Sequence, residues 1–249
     1  MAERRMLIDT SKCIGCRGCQ IACQQWHQLP AEDTSFTGSY QNPEDLSSAN
    51  LTVAKFSEMG DNGDLRWLFF KDQCRHCKDP QCKTACPLNA IGVIRKGPAL
   101  GWVVIKSKCD PAVCSTNDIK PCQVACPFKT QLYSNLGIPR YRLNNGSPLP
   151  DGKANKCDFC YDRWRNAMLK GTPYNGKFAK SKKPACELVC PTGAIITGEH
   201  VKIGRKAKRR VRYLQANGYP NANKYPSGFP TQVIWVLLED HTVYGIAGA

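Results

Sequence analysis

The stretch CIGCRGCQIAC, Cys13 to Cys23, places four thiols in eleven positions, at gaps of two, two and three residues. Such crowding fits a disulfide framework, a zinc site or an iron–sulfur cluster. Three more quartets follow: Cys74, Cys77, Cys82 and Cys86; Cys109, Cys114, Cys122 and Cys126; and Cys157, Cys160, Cys186 and Cys190. Together they account for all 16 cysteines of the 249-residue chain. Three quartets close on Cys-Pro, at Pro87, Pro127 and Pro191, and two run on into matching phrases, ACPLNAIGVI (85–94) and VCPTGAIITG (189–198). The pattern is an internal repeat of one metal-binding unit.

Spacing separates the three chemistries. A C-x2-C-x2-C-x3-C-P run is the bacterial ferredoxin signature, in which three thiolates bind one cluster and the fourth ligates its neighbour. The first quartet has this spacing, with Gln24 in place of the proline. Zinc favours two separated C-x2-C knuckles or a Cys2His2 set, and this chain holds only 4 histidines. Near the N-terminus, Arg4-Arg5 precedes an apolar run of only Met6, Leu7 and Ile8, which makes neither a Sec nor a twin-arginine signal. In a chain with no export signal of its own, the thiols read as metal ligands rather than disulfides.

The ferredoxin swap rule pairs the outer quartets with each other and the inner quartets with each other. It predicts Cys13, Cys16, Cys19 and Cys190 at site 1, and Cys74, Cys77, Cys82 and Cys126 at site 2. Cys86, Cys109, Cys114 and Cys122 make site 3, and Cys23, Cys157, Cys160 and Cys186 make site 4. Four [4Fe–4S] clusters are therefore expected. The third quartet is stretched, with gaps of four and seven residues. A spectator role for Cys109 or Cys114 would leave a three-iron cluster there, or none.

The expected fold class is α+β: two ferredoxin-like cluster-binding modules with short strands, long loops and a C-terminal helix. Residues 1–70 and 145–249 form the outer module, with insertions and a C-terminal extension, and residues 71–144 form the inner one. LTVAKF (51–56) and LRWLFF (65–70) suggest a hairpin, and GWVVIK (101–106) and QVIWVLL (232–238) suggest further strands. Over 202–218, Ala207, Val211 and Leu214 recur at helical spacing before Gly218, a C′ candidate. Residues 136–156 and 217–231, rich in Gly, Pro and Asn, read as loops. Apolar periodicity is sparse, so the metal centres are expected to hold the fold together.

The formal charge of +15 invites a nucleic-acid reading, but its distribution argues otherwise. Residues 161–185 and 202–212 carry most of the excess, with few interleaved aromatics. Four clusters with their thiolates would lower the charge to about +7. Both stretches read as protein-docking or solvated faces, and no nucleic acid is expected. The longest apolar run, Val233 to Leu238, falls far short of the roughly 20 residues of a membrane span. His27, His76, His200 and His241 lie in separate contexts, so no catalytic constellation is evident. His76, between Cys74 and Cys77, reads as a packing or hydrogen-bonding residue rather than a ligand.

The 16-cysteine arrangement resembles the iron–sulfur electron-transfer subunits of molybdenum and tungsten pterin oxidoreductases. GSYQNPEDLSSANLTVAKFSE (38–58), NGDLRWLFFKDQCRHCKDPQC (62–82), ACELVCPTGAI (185–195) and ANGYPNANKYPSG (216–228) narrow the resemblance to formate dehydrogenase beta subunits. It covers most of residues 6–245. It implies a non-catalytic subunit that relays electrons between a large Mo/W-bis-pterin catalytic subunit and a cytochrome or other soluble carrier. The implied location is periplasmic, by co-export with the catalytic subunit. Membrane-bound members carry a C-terminal transmembrane helix, whereas HTVYGIAGA (241–249) resembles the soluble ones. The competing readings are the matching subunit of a polysulfide or sulfoxide reductase and, from charge alone, a zinc-binding nucleic-acid protein.

Overall fold

The computed structural model describes residues 3–247 except 28, 30, 48, 61–63, 96–98, 107, 115–119, 129–139, 143–152, 162 and 164–182. In chain order come β1 (Arg4–Asp9), α1 (Gly18–Trp26), β2 (Thr52–Met59) and β3 (Arg66–Gln73). The middle of the chain contributes α2 (Gln81–Thr84), β4 (Ile91–Val93), β5 (Val103–Ile105), α3 (Pro111–Cys114) and α4 (Pro121–Val124). Then follow β6 (Arg140–Arg142), β7 (Lys153–Asn155), α5 (Ala185–Leu188) and β8 (Ile195–Glu199). α6 (His200–Gln215), β9 (Asn223–Tyr225) and β10 (Val233–Leu237) complete the α+β chain.

The two ends of the chain meet in one sheet, ordered β8-β1-β10-β9. β1 runs parallel to β10, with Met6 opposite Val233 and Ile8 opposite Trp235, and antiparallel to β8. Side chains alternate across a strand, so these strands feed two layers. Met6, Ile8, Val233, Trp235 and Leu237 face the main core. Leu7, Ile234 and Val236 face α6, whose Ile203, Ala207 and Leu214 cover them. Each fully buried aliphatic side chain of this kind contributes about 1.5–3 kcal/mol.

The β2–β3 hairpin, in register from Thr52–Gln73 to Met59–Arg66, docks on the main-core face. Trp235 Nε1 donates to the Lys71 carbonyl at 3.0 Å, and Phe70 stacks on Trp235 with centroids 5.2 Å apart. The same apolar cluster takes Trp102, Phe128 and Phe159 from segments near the cysteines. Residues from both expected modules thus share one core. That core is more substantial than the sequence suggests, because each short element contributes only one or two members.

Several element boundaries differ from expectation. The hairpin strands extend to Met59 and Gln73, and the 101–106 strand shortens to Val103–Ile105. β9 lies inside the stretch read as a loop, held by Trp235 opposite Tyr225. α6 starts at His200 and is capped at Ala216, and Gly218 takes φ +91° two residues beyond the cap. Most of 136–156 and of the basic stretch 161–185 lies outside the described residues.

Candidate metal centres

The cysteines sit on tight loops that turn into one-turn helices. Asp9 caps a 3-10 turn at Thr10–Lys12 by accepting from Ser11 N at 3.2 Å, which delivers Cys13 to the loop. Gly15, at φ +65°, and Arg17, at φ +58°, fold that loop back on itself before α1. On α1, Cys19 and Cys23 lie one turn apart and so share a face. At the fourth quartet, Phe159 and Cys160 both hold positive φ, and Cys160 Sγ accepts from Ala185 N, at the start of α5, at 3.5 Å.

Helix packing joins the arms in pairs: α1 packs on α5, and α2 on α4. The outer quartets therefore meet each other, as do the inner ones. Cys13 has Cys190 and Cys16 as its thiol neighbours, and burial pushes its pKa up. Cys19 is pushed up to about 12, first by burial and then by Cys186, Cys13 and Cys16. Cys23 is raised by burial and by Cys157 and Cys186, and Cys160 by burial, Asp158, Cys23 and Cys186. Cys157, also pushed up to about 12 by burial, has Cys186 beside it.

At the inner arms, burial raises Cys77, whose neighbours are Cys74, Cys126 and Cys82. Burial also pushes Cys126 up to about 12 and Cys82 to about 11, each next to Cys74. Cys86, Cys109, Cys114 and Cys122 line one cavity together with Pro87, Ile91 and Ala154. The stretched third quartet thus brings Cys109, Cys114 and Cys122 to the same space as Cys86 of the second. Cys86 Sγ accepts from Ala90 N at 3.2 Å, and Cys109 Sγ from Ala154 N at 3.4 Å.

All 16 cysteines are free thiols. Thiols gathered in fours, most of them desolvated, are a donor set for soft metals and iron–sulfur clusters. Cys19 has Cys186 beside it as well as Cys13 and Cys16, so the two outer groups of thiols adjoin.

Of the residues around the thiols, His27, Lys71, Arg75 and Lys156 escape sequence reasoning, whereas His76 has the packing and hydrogen-bonding role read from the sequence. His27 Nε2 lies 3.8 Å from Cys160 Sγ and 3.5 Å from Asp158 Oδ1. His76 is fully buried; its Nδ1 accepts from Val103 N at 3.0 Å, and its ring meets Phe159 at 4.3 Å. Burial, with Lys156 adding to it, holds His76 well below the ordinary histidine range, so it packs as a neutral ring. Lys71, Arg75 and Lys156 are buried cations near the thiols. Arg75 pairs with Asp72, and its guanidinium lies 5.1 Å from the Trp235 centroid and 5.2 Å from that of Phe128.

Residues 65–200 match the family described as a 4Fe-4S dicluster domain. This fold, carrying paired cysteine arms, defines an iron–sulfur electron-transfer protein that binds several [4Fe–4S] clusters. The chain is 38% identical over 238 residues to the iron-sulfur subunit of the nitrate-inducible formate dehydrogenase of Escherichia coli K12, covering 95% of this chain and 68% of that protein. It is 34% identical over 242 residues to formate dehydrogenase 2 subunit beta (cytochrome c-553) of Nitratidesulfovibrio vulgaris, covering 97% and 96%. Against the formate dehydrogenase subunit beta of Megalodesulfovibrio gigas the figures are 32% over 214 residues, 86% and 85%. The chain belongs to the family of formate dehydrogenase iron–sulfur (beta) subunits and is an electron-transfer subunit. Among the described residues, no helix is long and apolar enough to cross a membrane.

Proposed function

We propose that this chain relays electrons through four [4Fe–4S] clusters between a Mo/W-pterin catalytic subunit and a cytochrome or other soluble carrier, with no catalysis of its own. The clusters supply one-electron exchange. The chain's residues hold them, exclude water and set their surroundings. The ligand sets are Cys13, Cys16, Cys19 and Cys190 at site 1; Cys74, Cys77, Cys82 and Cys126 at site 2; Cys86, Cys109, Cys114 and Cys122 at site 3; and Cys23, Cys157, Cys160 and Cys186 at site 4. Sites 1 and 4 make the outer module, and sites 2 and 3 the inner one.

The observation that carries this reading is the cavity lined by Cys86, Cys109, Cys114 and Cys122. It unites thiols of two quartets as the swap rule demands, at the quartet whose spacing fits least well. The neighbours of the other thiols support the same exchange. Cys16 is exposed, and Ile14 and Ile21 of the same cysteine stretch are 58% and 48% exposed. An uncovered thiol in a stretch with exposed apolar side chains suits a protein contact at site 1. Val113 and Val124, 70% and 55% exposed, flank site 3 in the same way. Electrons would then run between sites 1 and 3 by way of sites 4 and 2.

A carrier of cytochrome type is supported by the Nitratidesulfovibrio relative, whose name includes cytochrome c-553. A periplasmic location, reached by co-export with the catalytic subunit, is part of the proposal. The deciding experiment is metal analysis of the chain purified with its large subunit. This subunit should contribute about 16 irons and equal acid-labile sulfide. A reproducible value near 12 would mean that one site is empty. Fractionation of cells lacking the large subunit should find this chain in the cytoplasm; its appearance in the periplasm would refute co-export.

A further inference from the structure

Lys71 lies on β3 opposite Ala54, whose backbone N–H donates to Gln20 Oε1 of α1 at 3.1 Å. α1 carries Cys19 and Cys23, and α5, packed on α1, carries Cys186. Lys71 is 3% exposed beneath these helices, and its Nζ donates to Gln73 Oε1. The thiols whose charge bears on it most are Cys186, Cys19, Cys157 and Cys23, which are drawn from both outer sites.

Among the described residues, no carboxylate pairs with Lys71. The adjacent Asp72 is engaged by Arg75 and, at 3.6 Å, by Lys55. A buried ammonium without an anion is strongly disfavoured. The negative charge able to offset it is that of the thiolate-ligated clusters, each about −2 in its oxidised form. We propose that Lys71 is a fixed counter-charge shared by sites 1 and 4, raising the reduction potentials of both clusters. The proposal rests on the ligand sets given above.

The sign follows from Coulomb's law. Reduction adds a negative charge, a nearby cation stabilises it, and low local polarity magnifies the effect. Lys156 supplies an internal comparison. Its Nζ is held by the carbonyls of Cys157, at 2.8 Å, and Val103, and it opposes the charge on Cys82. It therefore sits toward sites 4 and 2 rather than site 1.

The test is a redox titration followed by electron paramagnetic resonance on the purified complex. Cysteine variants assign the signals, and iron and sulfide are counted on the same samples. At full iron content, Lys71→Met should lower the midpoints of clusters 1 and 4 and leave that of cluster 3 in place. Lys71→Arg should restore both, and Lys156→Met should leave cluster 1 unmoved. Where Lys71→Met does not accumulate, Lys71→Gln, which keeps a polar partner for Gln73, makes the same comparison. Unchanged midpoints in a fully loaded Met or Gln variant would overturn the proposal, as would an Arg variant that shifts like Met. Absence of the cluster 1 or cluster 4 signal from the wild-type protein would instead sink the ligand reading at these sites, and this proposal with it.

Discussion

Gly15 and Phe69 meet so closely that a Cβ built on the glycine would lie 2.7 Å from the phenylalanine Cε1, at a backbone φ of +65°. The cysteine loop of site 1 therefore rests directly on the hairpin. Phe69 cannot turn away freely, because Phe56 packs against it edge-on at 5.3 Å and Trp67 stacks at 6.4 Å. Gly15→Ala should cost about 1–3 kcal/mol through left-handed strain and crowding. Thermal denaturation and the cluster 1 signal should both report the loss. Adding Phe69→Leu should recover the crowding part alone; an unaltered Gly15→Ala protein would mean that the ring yields without cost.

If quartets distant in sequence exchange ligands as proposed, the effects of cysteine substitutions are directional. Cys190→Ala should damage the cluster held by Cys13, Cys16 and Cys19, since Cys190 is a thiol neighbour of Cys13. Cys126→Ala should likewise affect the Cys74 cluster. Spectra in which Cys190→Ala alters only the cluster of Cys157 and Cys160 would contradict the exchange.

Removing the clusters should unfold the arms before the sheet. Helices α2, α3, α4 and α5 have four residues each, far below the length at which an isolated helix holds in water. The β8-β1-β10-β9 sheet with α6 has its own apolar layers. After chelation under reducing conditions, amide exchange should become fast across 77–90, 109–114, 120–126 and 185–190. It should stay slow in β1, β10 and α6. Uniform loss of protection would show that the sheet, too, depends on the clusters.

The cysteine arms were the legible part of this chain, because covalent spacing alone limits where neighbouring sulfurs can go. QVIWVLL also announced its strand, since a continuous apolar run suits a strand buried on both faces. β1 did not: Met6, Leu7 and Ile8 stand between two arginines and Asp9. Their burial depends on β10, whose Val236 carbonyl accepts from Thr10 Oγ1 across 226 residues of sequence. His27 beside Cys160 is hidden in the same way, by a separation of 133. Lys71 lies just past the strand expected at 65–70, and no apolar pattern marks it as buried. It is covered only because the cysteine arms, which leave no hydrophobic period, close over it.

α6 presents a basic face to solvent. Seven cations occupy residues 202–212, but they are not equivalent. Arg210 turns inward: its Nε donates to Asp9 Oδ2 at 3.0 Å, its Nη2 donates to Ser11 Oγ, and its guanidinium covers Tyr213. Lys202 pairs with Glu199 at 2.9 Å. Arg205, Lys206, Lys208, Arg209 and Arg212 remain on the exposed face. Like charges on one helix face repel, and an acidic partner relieves that repulsion while being steered inward at a salt-dependent rate. Reversing Arg205, Lys208 and Arg209 to Glu should therefore slow association with such a partner, or electron delivery to it, at low ionic strength, with cluster content intact. Arg210→Ala should do the opposite, lowering stability by about 1 kcal/mol or less without changing the salt dependence. Stopped-flow rates across a salt series separate the two. If the triple reversal keeps its full rate at low salt, the face is only solvated, and docking lies elsewhere.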